Sequence, residues 1–95
     1  MSKKALEFIL AEYEERKGLL DHFVFEFRDY IFQYAGPYFG YVWEKAKDGL
    51  EETDTEHEYG WRSFEEFLSD TMTEVGMTFR EVLAALPAEA VRNLE

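Results

Sequence analysis

The apolar residues near the amino terminus repeat with the period of a helix. They are separated by three and four positions, and they are Leu6, Ile9, Leu10 and Tyr13. Such spacing places them on one face of an α-helix. Ser2 can cap the first turn, and Gly18 is a suitable residue just beyond the last one. The pattern predicts a helix over about 3–17.

The next segment, LLDHFVFEFRDYIFQYAG, carries two competing patterns. Its phenylalanines alternate with other residues, as in a strand, at Phe23, Phe25 and Phe27. Its polar residues are spaced by three and four, as on one stripe of a helix, at Glu26, Asp29 and Gln33. The polar stripe favours a mostly apolar central helix over 21–35, and a pair of strands stays open as the alternative.

Three further helices are expected in the rest of the chain. Pro37 can open one over 37–49. The tetrapeptides Ser63-Phe-Glu-Glu and Thr78-Phe-Arg-Glu both match the capping box, which predicts helices over 63–75 and 78–86. A loop is expected over 50–62, where apolar residues are scarce. The sequence therefore predicts one all-α domain over 1–95, with four to five short helices around the aromatic-rich helix at 21–35.

The charge of the chain narrows the classes of function. Its 95 residues include 21 acids and 10 bases, for a net charge of −11, and no cysteine. Without cysteine there is no disulfide framework, thiolate metal site or cysteine nucleophile. The negative charge disfavours direct contact with nucleic acid or an anionic membrane. The longest uncharged run, 31–43, is too short to cross a bilayer, so we expect a cytoplasmic protein.

Most of the excess negative charge lies in residues 44–74, which hold eleven acids and three bases. From Glu52 to Glu58 a carboxylate stands at every second position. In an extended chain such residues recur about every 6.6 Å, which is similar to a row of phosphates. A basic surface that binds nucleic acid would accept that row, and nearby aromatic residues would anchor the contact.

The leading hypothesis is therefore a non-enzymatic inhibitor or binding protein that mimics nucleic acid on a basic partner protein. The residues predicted to bind the partner are Glu44, Asp48, Glu51, Glu52, Asp54, Glu56, Glu58, Tyr59 and Trp61. No catalytic motif is present, and neither a cofactor nor a metal is predicted. A solvated acidic loop without a specific role is the simplest competing explanation.

Two other functions remain open. One is a helical scaffold or homodimer that assembles through the aromatic segment 34–43, with Tyr34, Tyr38, Phe39, Tyr41 and Trp43 as the contact residues. The other is a calcium-binding loop over 54–65. Its acids fit an EF-hand count, but Tyr59 stands where that loop requires glycine.

In size, negative charge and expected helical content, the chain resembles small acidic phage proteins that counter host defence. Antirestriction and anti-CRISPR proteins that mimic nucleic acid are examples. It is also similar to bacterial immunity proteins that block toxic nucleases. The likeness covers no aligned residues. It implies a partner protein with a basic surface and no enzymatic activity.

Overall fold

The computed structural model describes residues 3–45 and 52–95, and of residues 52–56 it describes the backbone alone. The elements in chain order are α1 (Ala5–Glu15), β1 (His22–Phe27), β2 (Tyr30–Ala35), β3 (Phe39–Lys45), β4 (Glu52–Gly60), α2 (Phe64–Ser69), β5 (Thr71–Met72), β6 (Met77–Thr78), α3 (Phe79–Ala85) and a 3-10 turn (Ala88–Ala90). The fold is mixed, with 33% helix and 37% strand. The all-α prediction, and with it the expected helical content, is wrong.

The first four strands form one antiparallel sheet in the order β1-β2-β3-β4, with each strand beside the next in sequence. The expected central helix over 21–35 is a hairpin of β1 and β2. Arg28 and Asp29 form its turn, where Arg28 has a φ of 56°. This turn shifts the phase between the strands, so that polar residues from two strands and a turn imitate the spacing of a helix.

The expected helix over 37–49 and the loop over 50–62 are also wrong in their described parts, and residues 46–51 of these two predictions lie outside the described residues. Strand β3 occupies Phe39–Lys45, and β4 occupies Glu52–Gly60. β3 is apolar on both faces, which hides the alternation that marks a strand. β4 has few apolar residues, and it is held by pairing with β3 through a register that shifts between Trp43 and Lys45. Tertiary pairing overrides composition in both strands.

The capped helices follow the sequence prediction more closely. The Ser63 hydroxyl accepts a hydrogen bond from the Glu66 N–H at 3.1 Å. The Thr78 hydroxyl accepts one from the Glu81 N–H at 3.1 Å, and the Glu81 carboxylate accepts the Thr78 N–H at 2.9 Å. α1 lies within its predicted range. α2 ends at residue 69 rather than 75, and the short β5–β6 hairpin follows it.

One face of the sheet, called the inner face here, packs against the helices. Phe32 is fully buried, with its ring centroid 5.8 Å from that of Phe67 in α2 and 4.9 Å from that of Phe79 in α3. Gly40 faces the same core, where an added Cβ would lie 2.7 Å from the Phe32 ring and 2.9 Å from Trp61. The absence of a side chain at Gly40 lets these two aromatic rings approach β3.

The two edges of the sheet differ in what covers them. The carboxyl-terminal segment runs beside β1, where Val24 and Arg92 exchange both backbone hydrogen bonds at 2.8 Å. The Glu95 N–H also donates to the His22 carbonyl at 2.8 Å. β4 is the terminal strand at the opposite side. In the part of the chain that the structure describes, no helix is long and apolar enough to span a membrane.

Candidate partner-binding surface

The face of the sheet opposite the helices, called the outer face here, carries three aromatic residues of β3. Phe39, Tyr41 and Trp43 alternate with the buried residues Gly40 and Val42, which face the core. Phe39 is 53% exposed, and Tyr41 and Trp43 are half-buried. The Tyr41 and Trp43 rings stack with their centroids 6.0 Å apart and an interplanar angle of 29°. These three residues form what we call the β3 aromatic strip.

Two acidic residues of β4 lie opposite residues of this strip in the strand register. Tyr41 lies opposite Glu58, and Trp43 lies opposite Glu56. Glu58 is exposed and has no ion pair among the described residues. Glu44, the residue after Trp43, is exposed as well, but it falls on the other side of the strand alternation.

The remaining predicted acidic contact residues are only partly covered by the structure. Asp48 and Glu51 lie outside the described residues. The backbone positions of Glu52, Asp54 and Glu56 belong to β4, whereas their side chains are outside the description. The extended backbone that a row of alternating carboxylates requires is therefore present along β4. Residues 54–60 of the hypothetical calcium loop have this strand geometry too.

The two aromatic residues expected to anchor a partner belong to the protein's own core. Tyr59 is 8% exposed and Trp61 is 9% exposed. The Tyr59 ring lies edge-on to Phe79 at 5.3 Å, and Trp61 lies edge-on to Phe67 at 4.8 Å. Tyr59 follows Glu58 directly and Trp61 lies three residues beyond it, and this nearness to the acids suggested exposure. Their strand alternation with Glu58 and Gly60 points them to the inner face instead.

The aromatic residues proposed for self-association are also divided. Tyr34 is 1% exposed and packs in the core beside Phe23, with ring centroids 4.9 Å apart. Tyr38 is half-buried in the connection between β2 and β3, where its N–H donates to the Tyr34 hydroxyl at 3.1 Å. Of the five proposed residues, the three of the β3 aromatic strip thus share the outer face.

Three acids of the later part of segment 44–74, Glu65, Glu66 and Asp70, lie in or at the end of α2. Glu65 pairs with Arg80 at 2.7 Å, and Glu66 accepts the N–H of Arg62 at 3.1 Å. Asp70 accepts the Trp61 indole N–H at 2.9 Å. Trp61 and Asp70 border a shallow cleft of about 320 Å³. These acids are engaged within the fold, on the side of the sheet opposite the strip.

In the other half of the outer face, next to β1, the polar side chains contact one another. Glu26 accepts Lys45 at 3.0 Å and Arg92 at 2.8 Å. The hydrogen bond from Lys45 is the main reason that the pKa of Glu26 lies below its ordinary value. His22 contacts Gln33 at 3.0 Å and the Asn93 carbonyl at 2.8 Å. This half of the face offers a partner few unpaired polar groups.

A polar network that the sequence did not suggest ties β4 to the turn between β5 and β6. His57 contacts the Glu74 carboxylate at 2.7 Å, and the Tyr59 hydroxyl donates to the same carboxylate at 2.8 Å. The Thr73 N–H donates to the Tyr59 hydroxyl at 2.9 Å. These groups come from segments more than a dozen residues apart, so no local motif marks them. Their hydrogen bonds tie β4 to the β5–β6 turn.

Burial and hydrogen bonding act in opposite directions on this network. Partial burial raises the pKa of Glu74, but the hydrogen bonds from His57 and Tyr59 outweigh it, and the pKa lies below its ordinary value. Burial is also the main reason that the pKa of Tyr59 is raised. Among the side chains that the structure describes, those of residues 3–45 and 57–95, no three histidine or acidic groups converge as a metal site would require. No protein-family model, curated protein or solved structure matches this chain.

Proposed function

We propose that this protein is a small non-enzymatic binding protein that docks an acidic sheet surface on a basic partner protein. The partner surface is one that otherwise binds nucleic acid, so the protein acts as an inhibitor by mimicry. We expect it to act in the cytoplasm. The docking surface in this proposal consists of β4 and the adjacent outer face of β3. Tyr59 and Trp61 have no direct part in it, because both are buried.

The observation that carries the proposal is the extended course of β4. Its sequence places an acid at positions 52, 54, 56 and 58, and these are alternate residues of one strand. Alternate residues of a regular strand recur about every 6.6 Å, and in β4 the register shift interrupts this spacing between Glu52 and Glu56. β4 is also an edge strand of the sheet, and no other described strand pairs with its outer edge.

The overall charge supports the same proposal. A net charge of −11 on 95 residues attracts a basic surface over a distance of about a Debye length. Such attraction accelerates encounter, and it weakens as salt concentration rises. Bases near the outer face are used internally, since Lys45 and Arg92 both pair with Glu26. Among the described side chains of the row, Glu58 has no ion pair.

The test is a variant in which the four acids of β4 are replaced by their amides, E52Q, D54N, E56Q and E58Q together. Capture of partners from a host lysate is measured at low and high salt, with and without added duplex DNA. Wild type should capture a basic protein that DNA displaces, and the variant should lose that protein.

The matched control changes the same number of charges on other exposed positions, E14Q, E15Q, D21N and E89Q. It has the same net charge as the β4 variant, and it should retain capture because the four acids of β4 are intact. Equal loss in both variants would show that bulk charge is sufficient and would remove β4 from the proposal. Retention of capture in the β4 variant would contradict it directly.

A scaffold that assembles through the β3 aromatic strip is the second candidate. Exposure of slightly more than half of Phe39 favours it, because large exposed apolar side chains often mark contact surfaces. Analytical ultracentrifugation distinguishes the two functions. A dimer that Phe39→Ser dissociates would support the scaffold, and a monomer at all concentrations would leave the inhibitor.

A further inference from the structure

We infer that the β3 aromatic strip recognises arginine side chains of the basic partner, with Glu58 as the carboxylate that completes the contact. This inference rests on the proposed function and specifies the chemistry of its partner. It assigns the apolar part of the docking surface to Phe39, Tyr41 and Trp43.

The geometry of the strip suits a guanidinium group better than an ammonium group. Tyr41 and Trp43 present two stacked rings at the surface, and Glu58 pairs opposite Tyr41 on the next strand. A guanidinium group is planar and weakly hydrated, so it can stack on an aromatic ring while it donates two hydrogen bonds to a carboxylate. A lysine ammonium is a strongly hydrated point charge and gains less from the rings.

Four of the protein's five arginines are engaged elsewhere. Arg16 pairs with Glu12, Arg80 with Glu65, and Arg92 with Glu26. Arg28 lies over the ring of Phe27 at 5.0 Å and contacts the Met77 sulfur of β6 at 3.7 Å. Among the residues that the structure describes, none of these cations covers the strip. An arginine from outside the chain would find the aromatic surface accessible.

Charge decides between a basic partner and a second copy of this chain as the occupant. Two copies that met through the outer face of β3 would bring two β4 strands, each with acids at alternate positions, close to one another. Like charges at such a contact oppose association. A surface rich in arginine has the complementary charge, so we commit to it.

The test compares oligoarginine with oligolysine peptides of equal length, by isothermal titration calorimetry on the full chain at low salt. Both peptides carry the same charge, so simple attraction predicts equal affinity. Stacking on the strip should make oligoarginine bind about two- to five-fold more tightly, the range expected for an exposed cation–π contact.

The variant Tyr41→Thr with Trp43→Thr removes both rings and keeps residues that favour strands. It should bind the two peptides equally while it retains salt-dependent binding. Val24→Thr is the matched control, because Val24 is half-buried on the outer face of β1, away from the strip. It should keep the preference for arginine. Near-ultraviolet circular dichroism of each variant checks that the fold is intact.

The outcomes separate this inference from the proposed function. If wild type binds both peptides equally, or if the double variant keeps the preference, the inference is overturned, although β4 can still act as the acidic row. If the amide variant of β4 binds both peptides as well as wild type does, the proposed function itself fails. If the double variant dissociates a dimer seen for wild type, the strip serves a second copy and the inference is overturned.

Discussion

The inner and outer faces of the same sheet use aromatic residues in opposite ways. On the inner face, Phe23, Phe25 and Phe32 are fully buried among rings from α2 and α3. On the outer face, Phe39 is exposed and the adjacent aromatics of β3 are half-buried. The inner rings stabilise the fold more, because they are fully removed from water, whereas the outer rings keep part of their surface exposed. The difference assigns stability to one face and leaves the other available for contact.

The two halves of the outer face differ in whether their acidic residues form ion pairs. Next to β1, Glu26 is held by two cations of the protein. Next to β4, Glu58 has no ion pair among the described residues, and aromatic rings lie beside it. A region whose charges are already paired has less to offer a partner than one whose charges are not. This contrast locates the binding proposal on the β3–β4 half of the sheet.

The largest expected effect comes from removing a buried aromatic ring from the inner face. Phe32→Ala should lower the free energy of unfolding by about 3–5 kcal/mol, because it removes a buried ring and leaves a cavity. The measurement is urea denaturation followed by circular dichroism. Phe39→Ala is the outer-face counterpart and should cost less than about 1 kcal/mol. Similar losses for the two variants would contradict the division between the faces.

The glycines of the two faces give the next contrast. Gly40→Ala should destabilise the protein by up to about 3 kcal/mol, because its Cβ would overlap the Phe32 ring and approach Trp61 closely. Gly60→Ala places a Cβ at 3.4 Å from the exposed Phe39 ring, which can move aside. We expect a small change for Gly60→Ala in the same denaturation experiment. A larger loss of stability for Gly60→Ala than for Gly40→Ala would contradict the placement of Gly40 against the core and of Gly60 at the surface.

Alkaline pH should act on the inner face through Tyr34. Burial raises its pKa from 10.0 to about 12. The folded state therefore keeps a proton that the unfolded chain loses, so this stabilisation is complete below pH 10 and declines as pH rises toward 12. The loss should be about 2 kcal/mol over that interval. Tyr34→Phe should show a shallower decline in stability across the same range, and an unchanged decline would exclude Tyr34 as the cause.

The smallest expected effect on stability is the contribution of Glu74 at acidic pH. Its pKa in the folded protein lies below the ordinary value of 4.5, so its contribution is present above that pH and is lost as pH falls through the lowered pKa. Thermal unfolding from neutral pH to below pH 4 should show a smaller decrease in Tm for Glu74→Gln than for wild type. A decrease of equal size would show that the network with His57 and Tyr59 adds nothing.

The helix ends could be predicted because their chemistry is local. The hydroxyls of Ser63 and Thr78 reach N–H groups three residues ahead, so four consecutive residues contain the whole signal. The strands could not be predicted in the same way. β4 contains little that favours a strand, and its conformation depends on the register with β3. For Glu26 and Gln33, which belong to two strands, the apparent helical stripe crossed a turn.

The candidate surface was predictable only in part. The richness of 34–43 in aromatic residues indicated a contact region, and the β3 aromatic strip comes from it. Composition could not say which rings face the core, since that depends on strand alternation and on where the helices pack. Tyr34 and Trp61 were assigned to contacts for this reason, and both are core residues.

The pairing of residues 92–95 with β1 determines how the molecule can be handled in these experiments. Because Glu95 bonds to His22, any tag or fluorophore attached beyond it emerges beside the first strand, at the side of the sheet opposite β4. Immobilisation through that end should leave the acidic strand facing solution. Removing residues 92–95 would instead leave the backbone groups of His22 and Val24 unpaired at an exposed edge strand, which favours aggregation.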